Sequence, residues 1–235
     1  MSSLFNTRDC LAGARDTLPM LVGAAPFGVI FGTLAVGAGL PPWAAQAMSL
    51  LVYAGSSQFV AVSLVSAGTV LPVIWLTTFI INLRHALYSA TLLPTARTWP
   101  LRWRAALAFW LTDETFAVVE HRFRTRGEAG AAAYQLGSSL AMYLNWQFFT
   151  LVGIVLGKAV PGLADWGLDF AMVATFTAIV APQLHQRPAL AAAATAGVLA
   201  LLCRGWPYKL DLIVAVTGGM SAAMAVRYAS RRSRT

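Results

Sequence analysis

Residues 26–59, PFGVIFGTLAVGAGLPPWAAQAMSLLVYAGSSQF, carry no formal charge. Such a run is apolar enough to enter a bilayer, yet Pro, Gly, Ser and Gln interrupt it. Gly28 and Gly32 form a G-x-x-x-G, which lets a second helix approach closely. Ala54-Gly55-Ser56-Ser57-Gln58 places a small polar stretch inside the next apolar segment. A helix that only anchors a chain gains nothing from such breaks. Non-helical backbone at membrane depth is tolerated where it is buried in protein or lines a cavity, and interrupted helices hold the substrate in secondary transporters. Tight helix packing around an internally satisfied polar patch is the alternative reading of the same residues.

The rest of the chain carries the same signature. Apolar residues make up 58% and charged residues only 11%, against about 25% charged in soluble domains. Water-facing charge is too scarce to cover a soluble fold. The expected fold is all-α: a polytopic inner-membrane helical bundle with about seven to eight apolar segments, some broken or re-entrant. The net charge of +8 sits in short loops and the tail, the positive-inside pattern, so the lipid bilayer and not nucleic acid is the expected partner. Residues 1–16 read as a polar arm and 17–229 as one membrane domain with possible halves 17–126 and 127–229. Residues 230–235 read as a basic cytoplasmic tail. The N-terminus lacks a signal-peptide layout, so the first apolar segment is expected to stay.

In chain order, the first apolar segment covers residues 17–40, where Pro26 predicts a kink or break. The second covers 44–67 with its AGSSQ interruption, and the third covers 73–93, stopped by Pro94. The fourth, 105–120, is short, with Asp113 and Glu114 in its middle. Segments at 131–157, 167–182, 188–203 and 212–228 follow. Basic loops at 95–104 and 121–128 flank segment four, and both favour the inside. Either segment four does not cross fully or segment two is a hairpin. Gly28/Gly32 followed by Trp43 is echoed by Gly153/Gly157 followed by Trp166, a weak hint of a structural repeat.

Ionisable residues inside apolar segments each cost a few kcal/mol at bilayer depth and need a partner or a watered cavity. Arg84, His85, Asp113, Glu114 and Asp169 are the candidates. Asp113 and Glu114 are adjacent and point about 100° apart on a helix. One can line a cavity while the other pairs with Arg84 or a loop arginine. Proton or substrate duty and a structural ion pair between helices are both open for this group. Asp169 suits a first helical turn near the surface. Asn82, Asn145 and Gln147 suit either polar substrate atoms or interhelical hydrogen bonds. Cys10 and Cys203 are far apart, and His85, His121 and His185 fit no metal spacing. No hydrolase or nucleotide-binding motif is present, so neither an enzymatic activity nor a cofactor or metal is expected.

Several phrases then line up. Pro26-Phe27-Gly28 through Gly32, Met48-Ser49 and Tyr53-Ala54-Gly55-Ser56-Ser57-Gln58-Phe59 come first. Asn82-Leu83-Arg84-His85, Leu111-Thr112-Asp113-Glu114 and Leu168-Asp169-Phe170 follow. In that order and spacing the chain resembles the AzlC family of branched-chain amino acid permeases over residues 17–182. The resemblance implies an exporter of valine, leucine and isoleucine, extending to methionine, that acts with a small AzlD-like membrane subunit. It does not assign substrate contacts. Chemistry supplies candidates: backbone N–H groups of Gly55, Ser56, Ser57 and Gln58 for the amino acid carboxylate, and Asp113 or Glu114 for its ammonium or a coupling proton. Asn82 is a candidate polar contact. Phe27, Phe31, Phe59 and Phe116 are candidate apolar walls. A channel or exporter for another small organic solute, and a non-transporting membrane subunit, are the alternatives.

Overall fold

The computed structural model of the chain describes residues 6–160, 177, 181, 184–206 and 210–232. Among the described residues the elements are all helices: α1 (Thr7–Asp16), α2 (Leu18–Gly37), α3 (Pro42–Leu51), α4 (Gly55–Ser66), α5 (Leu71–Ala96), α6 (Leu101–Phe109), α7 (Asp113–Arg126), α8 (Ala131–Ala159), α9 (Arg187–Leu202) and α10 (Leu210–Arg232). The chain divides into two compact units. One comprises Met1–Ser63 with Thr78–Leu168, the other Leu64–Thr77 with Asp169–Thr235.

The first unit is built on α2 and α8. By length and composition, these are the two described helices apolar enough to cross a membrane. Their contact is a seam of small residues. A Cβ on Gly32 would overlap the carbonyl oxygen of Thr150, and one on Gly153 would overlap that of Val29. Gly28 lies against Phe149 and Gly157 against Thr33, so both G-x-x-x-G pairs face this one seam. The missing side chains let the backbones meet, and Thr33 Oγ1 donates to the Gly153 carbonyl at 3.1 Å. The contacts rise together along both sequences, so α2 and α8 run parallel and start at the same end. The polar residues 6–16 form α1, which starts on Asn6, whose side chain accepts from Arg8 N–H. It packs on the first turns of α8 through Gly13 and Gly137, and the hydroxyls of Thr17 and Ser138 lie 2.7 Å apart.

Three local expectations change. α2 runs unbroken through Pro26. The ring costs one bond, to the carbonyl of Val22, and both residues are exposed, so no neighbour is displaced. Pro94 does not end α5, which continues to Ala96 and closes with Arg97 N–H on the Leu93 carbonyl at 2.8 Å. Segments two and four are each two helices. The break at residues 52–54 separates α3 from α4, and that at 110–112 separates α6 from α7. Pieces of 10, 12, 9 and 14 residues result, each short of the ~20 needed to span a bilayer. The expected count of seven to eight apolar segments is therefore not matched by full-length spans among the described residues. The segment at 167–182 lies almost entirely outside them.

Large apolar side chains are exposed along Phe79, Leu83 and Leu87 of α5 and along Leu144, Phe148, Leu151 and Val155 of α8. A soluble monomer rarely leaves such stripes bare, whereas lipid tails cover them at no cost. In the second unit α9 and α10 pack together through Gly218 and Gly219. Gly218 lies against Leu199, and a Cβ on Gly219 would lie 2.9 Å from the Ala192 carbonyl oxygen.

Candidate functional site

The break before α4 is where the first unit departs most from regular backbone. Tyr53 sits at φ +45°, a left-handed conformation that a bulky side chain adopts only when its surroundings impose it. It is 3% exposed and held by Tyr143, ring centroids 4.8 Å apart. α4 then caps itself. Gln58 Oε1 accepts from the Ala54 N–H at 3.2 Å, and Ser57 Oγ donates to the Ala54 carbonyl at 2.9 Å. The backbone N–H groups of Gly55, Ser56 and Ser57 have no acceptor among the described residues. They form the positive end of a helix with no acid in its first turn.

A second broken helix ends at the same place. Thr112 caps α7, its Oγ1 accepting from Thr115 N–H at 3.3 Å. Asp113 and Glu114 therefore open a helix instead of lying in the middle of one. There they complement the positive end of α7. Arg84 of α5 joins the two breaks. Its Nη2 donates to Ser56 Oγ, and its Nη1 pairs with Asp113 Oδ2 at 2.8 Å. Tyr88 OH donates to Asp113 Oδ1 at 2.5 Å and stacks on Phe116 at 4.5 Å. The guanidinium thus lies beside a helix N-terminus, a place that disfavours cations, with Asp113 as its counter-ion. The buried Arg84 Nε has no partner among the described residues.

An apolar wall adjoins the start of α4. Phe31 meets Phe59 edge-on at 6.0 Å and stacks on Trp146 at 6.2 Å. A Cβ on Gly55 would lie 3.1 Å from the Trp146 indole, so the glycine lets the ring reach the break. Three buried polar atoms around it are unpartnered among the described residues: Tyr53 OH, Gln58 Nε2 and Trp146 Nε1. Gln58 is 0% exposed. An unmade hydrogen bond at a buried group costs about 1–3 kcal/mol, so these groups suit a polar visitor.

The structure gathers Gly55, Ser56, Ser57, Gln58, Phe59, Arg84 and Asp113 into one cluster. Asn82 lies half a turn before Arg84. Its carbonyl contacts His85 Nδ1 at 3.0 Å, while its Oδ1 has no partner among the described residues. Glu114 and Phe27 are half-buried on α7 and α2. Asp169 and Trp166 lie outside the described residues. Asn145 and Gln147 are spent between helices: Asn145 Nδ2 donates to the Leu21 carbonyl at 3.2 Å and Gln147 Nε2 to that of Ser49 at 3.0 Å. Tyr53, Tyr88 and Trp146 were not foreseen as site residues. Tyr88 had a readable signal, since it falls four residues after Arg84 on the same helix face.

Tyr53→Phe separates two uses of this cluster. Deleting an unpartnered buried hydroxyl is expected to leave the melting temperature unchanged or to stabilise by up to about 1 kcal/mol. A fall in substrate affinity at unchanged stability would assign the hydroxyl to ligand. A clear loss of stability would show that it has a structural partner.

The family described as AzlC protein matches residues 19–160, more than half of the chain. An uncharacterized membrane protein of Archaeoglobus fulgidus is 32% identical over 203 residues, 86% of this chain and 87% of that protein. Inner membrane protein YgaZ of Escherichia coli is 28% identical over 196 residues, 81% of this chain and 80% of its own. The Branched-chain amino acid transport protein AzlC of Bacillus subtilis is 26% identical over 168 residues, 71% of this chain and 65% of its own. No solved structure matches.

Proposed function

The chain belongs to the AzlC family, and from that premise we propose that it exports branched-chain amino acids across the inner membrane. Valine, leucine, isoleucine and methionine are the proposed substrates, a small AzlD-like membrane subunit the partner, and the proton gradient the driving force. The observation that carries this reading is the acid-free N-terminus of α4 beside Arg84, facing an aromatic wall. A zwitterion with an aliphatic side chain makes three demands. Its carboxylate needs donors, which the N–H groups of Gly55, Ser56 and Ser57 and the guanidinium supply. Its side chain needs an apolar surface, offered by Phe31, Phe59 and Trp146. Its ammonium needs an acceptor, and Asp113 and Glu114 are at hand.

The Arg84–Asp113 pair supplies a coupling step. A substrate carboxylate that takes over an edge of the guanidinium releases Asp113 from it. The freed carboxylate then receives the ammonium or a proton. Loading, protonation and departure are linked because one cation cannot satisfy two carboxylates at once in a poorly hydrated site. Under the positive-inside rule the arginines of the tail and of the 121–128 loop favour the cytoplasmic side. The named Bacillus subtilis relative supports the substrate class, and the apolar wall favours a branched aliphatic side chain over a charged one.

The test is efflux from cells loaded with each of the four amino acids. This chain is expressed alone, with its small partner, and not at all. Faster efflux only when both chains are present is the expected result. Equal efflux in all three strains, with both proteins found in the membrane, would remove the branched-chain reading. Efflux of another small organic acid in a wider screen would then favour the alternative solute, since the donor cluster by itself recognises any carboxylate.

A further inference from the structure

A second polar site lies away from this cluster, between α1, the start of α2, α7 and the first turn of α8. It is an open cleft of about 670 Å³ whose charged lining is Arg15, Asp16, His121, Arg122 and Arg126. Three arginines there face one carboxylate. That carboxylate is engaged, since Asp16 Oδ2 accepts from Tyr134 OH at 2.8 Å. Arg122 is also engaged. It donates to the Gly127 carbonyl at 3.0 Å and lies over the Tyr134 ring, 5.4 Å from its centroid. The acids nearest in sequence are turned elsewhere: Glu120 to Arg124 and Glu128 to Thr95. Arg15 and Arg126 form no ion pair among the described residues. Both are exposed, and three arginines against one carboxylate leave the cleft lining positive.

The other wall is apolar, formed by Pro19, Met20 and Val118. Met20 is 40% exposed and stands in the first turn of α2. Because α2 and α8 run parallel and both begin here, the cleft lies at the end of both apolar helices, where a bilayer places its headgroups. The arginines of α7 assign that end to the cytoplasmic leaflet. Free phosphate or a nucleotide would use the arginines but leave the apolar wall idle. A phospholipid uses both, with its phosphate on the arginines and the top of its acyl chains on Pro19, Met20 and Val118.

We propose that this cleft is a binding site for an anionic phospholipid of the cytoplasmic leaflet, held by Arg15 and Arg126 through its phosphate. The inference takes from the preceding subsection only that the chain spans a bilayer. It does not depend on what is transported.

The test uses the full chain, purified in detergent and stripped of lipid. Native mass spectrometry reads its binding of phosphatidylglycerol, of phosphatidylcholine with the same acyl chains, and of glycerol 3-phosphate. The expected result is selective retention of phosphatidylglycerol. Each arginine near a membrane surface contributes about a five-fold factor, so R15Q/R126Q should weaken retention about 30-fold, and R15K/R126K far less. Equal retention of the two lipids would overturn the proposal, as would an R15Q/R126Q affinity within about two-fold of wild type. Full competition by glycerol 3-phosphate at equal concentration would also overturn it in favour of a small-anion site. Melting curves without lipid show whether the glutamine variant folds. If it does not, the comparison of the two lipids on the wild type decides. Transport is not measured, so a failure here leaves the exporter reading untouched, and the reverse also holds.

Discussion

Gly153→Val is expected to destabilise the folded protein by about 3 kcal/mol or more. At this position α8 presents bare backbone to α2, and even a Cβ would overlap the carbonyl oxygen of Val29. Valine adds two more carbons on a stiff χ1. No flexible side chain stands opposite to give way, so the helices must separate. Separation also breaks the bond from Thr33 Oγ1 to the Gly153 carbonyl. Overpacking costs about 1–3 kcal/mol and a lost buried hydrogen bond about 1 more, giving about 3 kcal/mol or above. That is a large part of a typical folding free energy. The readout is the monodisperse fraction and melting temperature of the detergent-solubilised chain. Gly23→Ala on the same helix pair is the control. Nothing lies within 4 Å of a Cβ there, and alanine is the better helix former by about 1 kcal/mol, so it should hold or gain stability. A Gly153→Val variant that melts like wild type would mean that α2 and α8 do not meet along this seam.

The second large effect is expected at Arg84. Arg84→Gln leaves Asp113 with Tyr88 as its remaining donor partner, and Asp113→Asn leaves the guanidinium beside the positive end of α4. Breaking a buried pair costs about 3–5 kcal/mol. Here the side chains keep 23% and 33% of their exposure, so about 2 kcal/mol is expected for either single change. Transport should fall at least about ten-fold in both, the equivalent of one charge-assisted hydrogen bond. The double variant Arg84→Gln/Asp113→Asn distinguishes a clamp from a site. A neutral amide pair restores most of the stability in either case. If the cluster binds and couples substrate, export stays lost. Export returning with stability would make the pair a structural clamp and move the site elsewhere.

The glycine seam and the Arg84 cluster differ in how much of each is legible in the sequence. Gly28, Gly32, Gly153 and Gly157 read as packing residues because a small side chain every fourth position marks a close helix contact. That the two pairs meet each other was not readable, since periodicity gives a face and not its partner. Arg84, Asp113 and the stretch from Gly55 to Gln58 stood out because charge and amide groups are costly in apolar runs. Their convergence depends on two helix breaks whose positions the sequence placed only loosely. The AGSSQ stretch looked like the interruption itself, yet Gly55–Gln58 forms the first turn of α4, and the break lies at Val52, Tyr53 and Ala54. Tyr53 was unreadable there because nothing local favours a left-handed tyrosine. Its conformation is imposed by packing against Tyr143 of a distant helix.

By itself the sequence determined the all-helical class, the apolar character of the long helices, the arginines that mark one side, and the family. These follow from local quantities: hydropathy along a segment, the cost of a buried charge, and the order of short motifs. Only the tertiary structure decided that α2 and α8 run parallel, that α4 and α7 begin where Arg84 stands between them, and that Trp146 reaches the break through Gly55. Each of these is a pairing between residues remote in the chain, set by which backbones can approach and which buried polar groups find partners.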